Sequence, residues 1–365
     1  MKYACKPGVV GLTLVTIMIL AGCTSFGPRN IRGDRFNYND AVGRSAEEQL
    51  LGNIVRVRHL EFPTFLAVSS IVTSYNYTGT VGLSAENSDL SDTLTGNVNL
   101  GYSEVPTISY APLAGEDFAG RMFKPIPAST IFALGQSGWP IDLLLYIALE
   151  AVNDIRNASL TTAIAAPESN LEYGLDTDEK AASSFRKMVS FIPTLLSRHL
   201  IELGSPAGAD TPELIFRKKT EPAQQALIDE FKDMLSLDRS IDVFKVTTNQ
   251  ANRKPGEIAI DTRSVFAIIL FLARGVEIPV EQAQHGGHLP SSGSGFGELI
   301  PFHVRSQSEK PGDAFIAIRY RGLWYYIKDS DTETKVSMLF LLTLLQLLAP
   351  TIPGAAPVLT LPVSG

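Results

Sequence analysis

Three histidines and one serine are the side chains whose positions first suggest chemistry. His285 and His288 lie close together, with His303 downstream, and such imidazoles could bind a metal ion. A zinc site needs about three or four ligands held in place by further hydrogen bonds, whereas this pair lies in a stretch rich in Gly and Ser. Around Ser137, the glycines two residues away on both sides that a nucleophile elbow requires are not both present. We therefore predict no catalytic residue, no metal ligand and no cofactor.

Cysteine chemistry is confined to the N-terminal segment. The chain has 365 residues and two cysteines, Cys5 and Cys23. Lys2 and Lys6 make the N-terminus positive, and residues 9–20 form an apolar stretch of 12 residues interrupted by one Gly and two Thr. Spanning a bilayer takes about 20 apolar residues, so this stretch is too short for a transmembrane helix and suits the core of a signal peptide. We predict that residues 1–22 are an export signal.

The sequence Leu20-Ala21-Gly22-Cys23 resembles the lipobox of bacterial lipoproteins. The resemblance covers the signal and the cysteine. It implies that the Cys23 thiol receives a diacylglycerol, that cleavage falls between Gly22 and Cys23, and that the new amine is acylated. Several acyl chains anchor a protein stably, whereas a single chain holds it only marginally. The alternative is an ordinary cleaved signal in which Cys23 has no role.

The residue after the cysteine and the overall charge indicate where the mature chain resides. Thr24, rather than Asp, follows Cys23, which by the same resemblance implies the outer membrane, with the body of the protein in the periplasm. Removal of residues 1–22 takes away two lysines and no acidic residue, so the formal charge changes from −7 to −9. An acidic chain without a free thiol is not expected to bind nucleic acid, to use thiol catalysis or to hold zinc through cysteines.

The patterning along the chain predicts an α+β fold of mixed helices and antiparallel strands, with an extended amphipathic β-hairpin near the N-terminus. In the first helix, over 39–59, we expect Glu47, Glu48, Arg56 and Arg58 on the solvent face. A Gly-, Pro- and Ser-rich run at 204–212 is the best candidate for a linker. The predicted regions are a lipidated tether over 23–36, an N-terminal region over 37–203 with the first helix, the hairpin and further helices, and a C-terminal α+β region over 213–365.

The predicted hairpin, residues 75–102, is the segment with the clearest functional pattern. Each of its two strands, 75–85 and 94–102, has one apolar face and one face of small uncharged polar groups. Membrane strands of about 9–11 residues alternate in this way and carry aromatic residues at the interfaces. The predicted lipid-facing residues are Tyr75, Tyr77, Val81, Leu83, Leu94, Val98, Leu100 and Tyr102.

One hairpin cannot lie in lipid alone, because its edges leave N–H and C=O groups unpaired. A pore therefore requires a ring of at least about four copies to reach the ~8 strands of the smallest barrels. The layout is similar to that of oligomeric outer-membrane secretion lipoproteins, such as those that export curli subunits, although no motif is shared. The predicted partners are membrane lipid, through acylated Cys23, and other copies of the chain or envelope proteins.

Two other functions fit the same residues. An amphipathic sheet with its apolar face on a core and its polar face in water shows the same alternation. The protein would then be a periplasm-facing scaffold or binding lipoprotein with no membrane-spanning part. An envelope hydrolase is the third possibility, because catalytic residues can converge from distant parts of a sequence.

The lipid anchor can be tested with Cys23→Ser. We expect labelled palmitate to enter the wild type and not the variant, because the serine hydroxyl does not replace the acylated thiol. We also expect a high-salt wash to release the variant from membranes and to leave the wild type bound. A variant that stays bound at high salt would show that the lipid is not the main anchor.

Overall fold

A computed structural model describes residues 26–88, 91–157, 171–204, 211–218, 221–279, 282, 288–289 and 300–348. Contacts divide the chain into two compact units, Met1–Gln49 and Leu50–Gly365. The described residues form eight helices and several mostly antiparallel sheets, so the fold belongs to the α+β class, as predicted.

The first helix, α1, runs from Phe26 to Arg58 and begins earlier than expected. Residues 26–36 of the predicted tether are therefore helical. Pro28 lies in the first turn, where a missing N–H interrupts no helical hydrogen bond, and the next proline is Pro63. Gly and Pro in this stretch suggested an extended tether, but at these positions they do not break a helix.

Arg58 is buried, which corrects its predicted place on the solvent face. Its guanidinium donates from Nε to the Val276 carbonyl at 3.0 Å and from Nη1 to the Leu289 carbonyl at 2.6 Å. Arg58 follows buried Ile54 by one helical turn and therefore shares its buried face. Burial lowers the pKa of Arg58 to about 10. Main-chain carbonyls compensate part of the cost of placing this cation in the core.

A two-stranded antiparallel ribbon follows α1. Its strands, β1 (Leu66–Ser88) and β2 (Ser91–Pro112), contain 23 and 22 residues and are about twice as long as the predicted ones. At ~3.3 Å per residue the ribbon is about 75 Å long. The register shifts once, between Val68 and Ser70. Such a bulge adds one residue to one strand and increases the local twist.

The body contains a six-stranded mixed sheet in the order β4-β3-β8-β7-β6-β5. Strands from both sides of 204–212 belong to this one sheet, so the predicted linker does not separate two domains. A composition rich in Gly, Pro and Ser marks a loop but does not distinguish a loop within a sheet from a connection between domains. The strands are β3 (Leu149–Val152), β4 (Ile155–Arg156), β5 (Ile201–Gly204), β6 (Glu213–Phe216), β7 (Val243–Thr247) and β8 (Glu257–Thr262).

Seven further helices and a three-stranded sheet complete the described body. Three of the helices are rich in apolar residues and contribute to one large core, in which two of them, α4 and α7, bury most of their residues. The helices are α2 (Glu116–Phe123), α3 (Ala128–Gln136), α4 (Ile141–Ala148), α5 (Leu171–Ser197), α6 (Pro222–Met234), α7 (Val265–Ala273) and α8 (Thr332–Leu348), of which α4, α7 and α8 are the three apolar ones. The small sheet has the order β10-β11-β9, with β9 (Arg305–Gln307), β10 (Ala314–Tyr320) and β11 (Leu323–Lys328).

Asn153 ties the turn between β3 and β4 to two other parts of the body. Its amide Nδ2 donates to the Leu235 carbonyl at 2.7 Å, and its Oδ1 accepts from the Ala259 N–H at 2.9 Å. Its φ of 49° lies in the left-handed region, which Asn tolerates better than most residues. Side chain and backbone therefore both favour asparagine at this position.

We expect Asn153→Ala to lower the free energy of unfolding by about 2–4 kcal/mol, because two buried hydrogen bonds are lost and alanine is strained at positive φ. Asn153→Gly loses the same bonds without the strain and is expected to be about 1 kcal/mol less destabilised. Urea unfolding followed by circular dichroism measures both changes. An alanine variant as stable as the wild type would contradict this role.

Candidate functional site

The register of the ribbon brings together the residues predicted to face lipid. Tyr77 pairs with Tyr102, and Val81 pairs with Val98. Because the two members of a cross-strand pair lie on the same side of a sheet, the apolar positions identified separately in each strand share one face. The backbones of Tyr77, Val81, Leu83 and Leu94 are described, and their side chains lie outside the described part of the structure.

The described side chains on this apolar face are exposed to solvent. Val98 is 64% exposed, Leu100 is 81% exposed and Tyr102 is 56% exposed. Tyr75, on the same face, is also exposed. The body of the same copy therefore does not cover these residues. A contiguous exposed apolar surface typically marks contact with a membrane or with another protein.

The opposite face of the ribbon carries small uncharged polar residues. Asn76, Thr78, Thr80, Asn97 and Asn99 are all exposed there. Over residues 66–85 and 93–112, the sequence contains one charged residue, Glu104, and it lies on the apolar face. Exposed sheet edges in water-soluble proteins usually carry charges that prevent pairing with other chains. This ribbon lacks that protection.

Aromatic residues and the single carboxylate occupy one level of the ribbon. Tyr75 is paired with Glu104, and the neighbouring pair is Tyr77 with Tyr102. The Tyr102 hydroxyl donates to Glu104 Oε2 at 3.3 Å. Tyrosines of this kind are enriched where a membrane strand leaves the hydrocarbon and enters water.

A hydrogen bond closes the base of the ribbon, which lies against aromatic rings of the body. The rings of Phe65 and Phe118 lie 5.8 Å apart, and those of Phe123 and Phe266 lie 5.0 Å apart. The Leu113 N–H donates to the Phe65 carbonyl at 2.9 Å. An apolar cavity of about 330 Å³ lies beside these contacts and reaches the first ribbon pair. The base of the ribbon is thus continuous with the packed body.

Among the described residues, the other candidate chemical side chains form no metal-binding group. Within the described residues, no group of three or more His, Cys, Asp and Glu could hold a metal ion. His285 lies outside the described residues, and the His303 backbone N–H donates to Thr334 Oγ1 at 2.9 Å. The Ser137 hydroxyl donates to the Ala133 carbonyl of its own helix at 2.7 Å. The predicted signal over 1–22 and Cys23 also lie outside the described residues.

The structure reveals a buried polar cluster that the sequence did not indicate. His59 is 4% exposed, and its Nε2 lies 3.2 Å from the Tyr325 hydroxyl. Its ring centroid is 5.2 Å from that of Tyr320. Beside it, Arg321 Nη2 donates to Glu61 Oε1 at 2.7 Å. The groups come from parts of the chain more than 250 residues apart, so no local pattern could have identified them.

Burial and nearby positive charge keep His59 neutral. Removal of the ring from water, and then the cations Arg321 and Arg58, lower the pKa of His59 from 6.5 to about 4. The Tyr320 hydroxyl and the Arg321 guanidinium lower the pKa of Glu61. The cluster links the end of α1 to the β10–β11 hairpin.

Comparison with protein-family models, with curated proteins and with solved structures finds no match to this chain. In the part of the chain that the structure describes, no helix has both the length and the hydrophobicity that a membrane crossing requires.

Acidification should destabilise the protein through His59. Between about pH 4 and pH 6.5 the unfolded chain binds a proton at this residue that the folded protein excludes, so stability is lost as the pH falls through this window. We expect His59→Gln to flatten the fall of the melting temperature over that range. Glu61 acts in the same direction but at lower pH, so Glu61→Gln is the control. A wild-type melting temperature that does not change between pH 6.5 and pH 4 would contradict the cause assigned here.

Proposed function

We propose that the protein is an outer-membrane lipoprotein that assembles into a ring, in which each copy contributes the hairpin 75–102 to a membrane-spanning pore. The apolar face of the ribbon would contact lipid, and the uncharged polar face would line a water-filled lumen. The body would remain in the periplasm, held at the membrane by the lipid on Cys23. No catalytic step is part of this function.

The observation that carries this proposal is the exposed apolar face opposite an uncharged polar face. An amphipathic sheet in a water-soluble protein normally packs its apolar face on a core. Here Val98, Leu100 and Tyr102 project from the body without cover. Exposed polar groups in water tolerate Lys and Glu, yet the polar face has none between Ser70 and Ser84 or between Thr95 and Ser109. Both faces fit a strand that separates lipid from a lumen.

The dimensions support the same arrangement. Ten residues of strand at ~3.3 Å each, tilted by ~40°, rise roughly 25 Å, which is the height of the apolar band of a membrane barrel. The part of the ribbon between the Tyr77–Tyr102 pair and the tip, whose sequence over 86–92 contains three acidic residues, has about this length. The remaining part, nearer the body, would lie outside the hydrocarbon.

A lipid on each copy would favour assembly. Confinement to a membrane raises the effective concentration of the copies, as tethering does for any pair of binding modules. Assembly in the bilayer also pairs the strand edges where unpaired backbone groups cost most. The lipid anchor and the ribbon thus contribute to one process.

The test compares two substitutions at neighbouring positions of β2. Val98→Lys places a charge on the apolar face, and Asn99→Lys places the same charge on the polar face. A lysine facing lipid at mid-depth costs about 2–4 kcal/mol per copy, whereas a lysine in a lumen is hydrated. We expect Val98→Lys to abolish insertion, measured as loss of detergent-extracted rings in electron micrographs and of conductance in planar bilayers. Asn99→Lys should retain both.

The outcomes separate the three functions. If both variants form rings or both remain monomers with an intact body, the ribbon does not separate lipid from water. Monomers of the wild type in detergent, with both substitutions tolerated, would favour a periplasmic scaffold or binding lipoprotein. Hydrolytic activity of the purified monomer would favour the envelope hydrolase.

A further inference from the structure

The prolines of the ribbon lie on one strand only. Pro106 and Pro112 belong to β2, in the half nearer the body, and β1 contains no proline. A proline has no N–H and therefore removes one donor from any strand pairing. The direction of the missing donor determines which pairing is prevented.

The hydrogen bond at the base of the ribbon gives this direction. The Leu113 N–H donates to the Phe65 carbonyl, one position beyond the Leu66–Pro112 pair. Hydrogen-bonded and non-hydrogen-bonded pairs alternate along an antiparallel ladder. Pro112 therefore occupies a non-hydrogen-bonded pair, and so does Pro106, an even number of residues away on the same strand. Both nitrogens point away from β1, to the free edge of β2.

Between Pro106 and the tip, the free edge of β2 keeps every donor. By the same alternation, the outward N–H groups in this part belong to Leu94, Gly96, Val98, Leu100, Tyr102 and Glu104. Their span of ten residue steps is about 33 Å, or roughly 25 Å along the membrane normal at a tilt of ~40°. The complete run of donors therefore has the height of the hydrocarbon band. It ends at Glu104, the level of the tyrosines.

We propose that the outer edge of β2 between Leu94 and Pro106 pairs with the outer edge of β1 in a second copy, and that this pairing ends at Pro106. The inference rests on the proposed ring. Natural proteins place proline on sheet edges to block pairing. Pro106 and Pro112 block it in the half nearer the body and leave the far half open. Residues 66–74 and 105–112 then form a spacer whose strands pair only within their own copy.

The proposed pairing also gives neighbouring copies the same orientation of their apolar and polar faces. The two residues of a non-hydrogen-bonded pair both direct their backbone groups outward, and they share a face. On this ribbon the shared face is the apolar one, because Val81–Val98 and Tyr77–Tyr102 are such pairs. Pairing between copies through these groups places the apolar face of one ribbon beside the apolar face of the next. The polar faces are likewise adjacent. Closure of the ring gives a continuous outer surface and a continuous lumen.

The experiment uses two proline substitutions in the full-length lipidated protein, Leu100→Pro and Ile108→Pro. Each replaces an aliphatic residue on the apolar face of β2 and removes one outward donor, and neither removes a hydrogen bond within the ribbon. We expect Leu100→Pro to reduce the SDS-resistant oligomer by about tenfold or more, since its partner carbonyl is left unpaired in lipid. Ile108→Pro should leave the oligomer at the wild-type level.

Hydrogen exchange on the wild type provides a measurement that does not depend on either variant. Assembly should slow exchange at the Val98 and Leu100 amides and leave the Ile108 and Tyr110 amides unchanged. If both substitutions abolish the rings, or if both leave them intact, the inferred pairing is wrong, and the proposed pore is not affected by this result. Slowed exchange at Ile108 also overturns the inferred pairing. If the wild-type chain remains monomeric in the bilayer, the proposed ring is wrong, and the inferred pairing is wrong as well.

Discussion

The backbone of a two-stranded ribbon is paired on one side of each strand only, so each strand keeps an outer edge of N–H and C=O groups. In water the outward N–H and C=O groups are hydrated, so an isolated ribbon can exist. In hydrocarbon each unpaired group costs several kcal/mol, so a ribbon must find a neighbour on both edges. In the proposed pore, the two faces of the β1–β2 ribbon separate lipid from the lumen. Its two outer edges require a neighbouring copy on each side.

Buried cations that bind main-chain carbonyls hold together turns within the body. Arg263 donates from Nη1 to the carbonyls of Tyr146, Ile147 and Leu149. Lys232 donates to the carbonyls of Arg239 and Ile241 and lies 4.7 Å from the ring centroid of Phe216. A buried cation is tolerated only where its donors are satisfied. Each of these side chains therefore favours one arrangement of the turns around it.

Local pattern predicted much of the fold, and contacts distant in sequence explain what it did not predict. Alternation with period two predicted the hairpin and its faces. The strand order of the six-stranded sheet and the contact of His59 with Tyr325 join segments far apart, and no local period records them. The prediction for Arg58 was wrong because it followed the charge of the side chain. Its position one helical turn after the buried Ile54 indicates the buried face instead. Of the candidate site, the alternating faces were predictable, and the exposure of the apolar face required the structure.

The exposed half of the ribbon farther from the body favours self-association of the protein in water. Val98 and Leu100 present apolar side chains to solvent along an uncovered strand edge. Any extended polypeptide with a free side can add to such a template, which is how amyloid-type stacking begins. The chain is therefore expected to aggregate more readily as its concentration rises. In the proposed export route, dilution, rapid delivery to lipid or a holdase that covers this strip would limit aggregation.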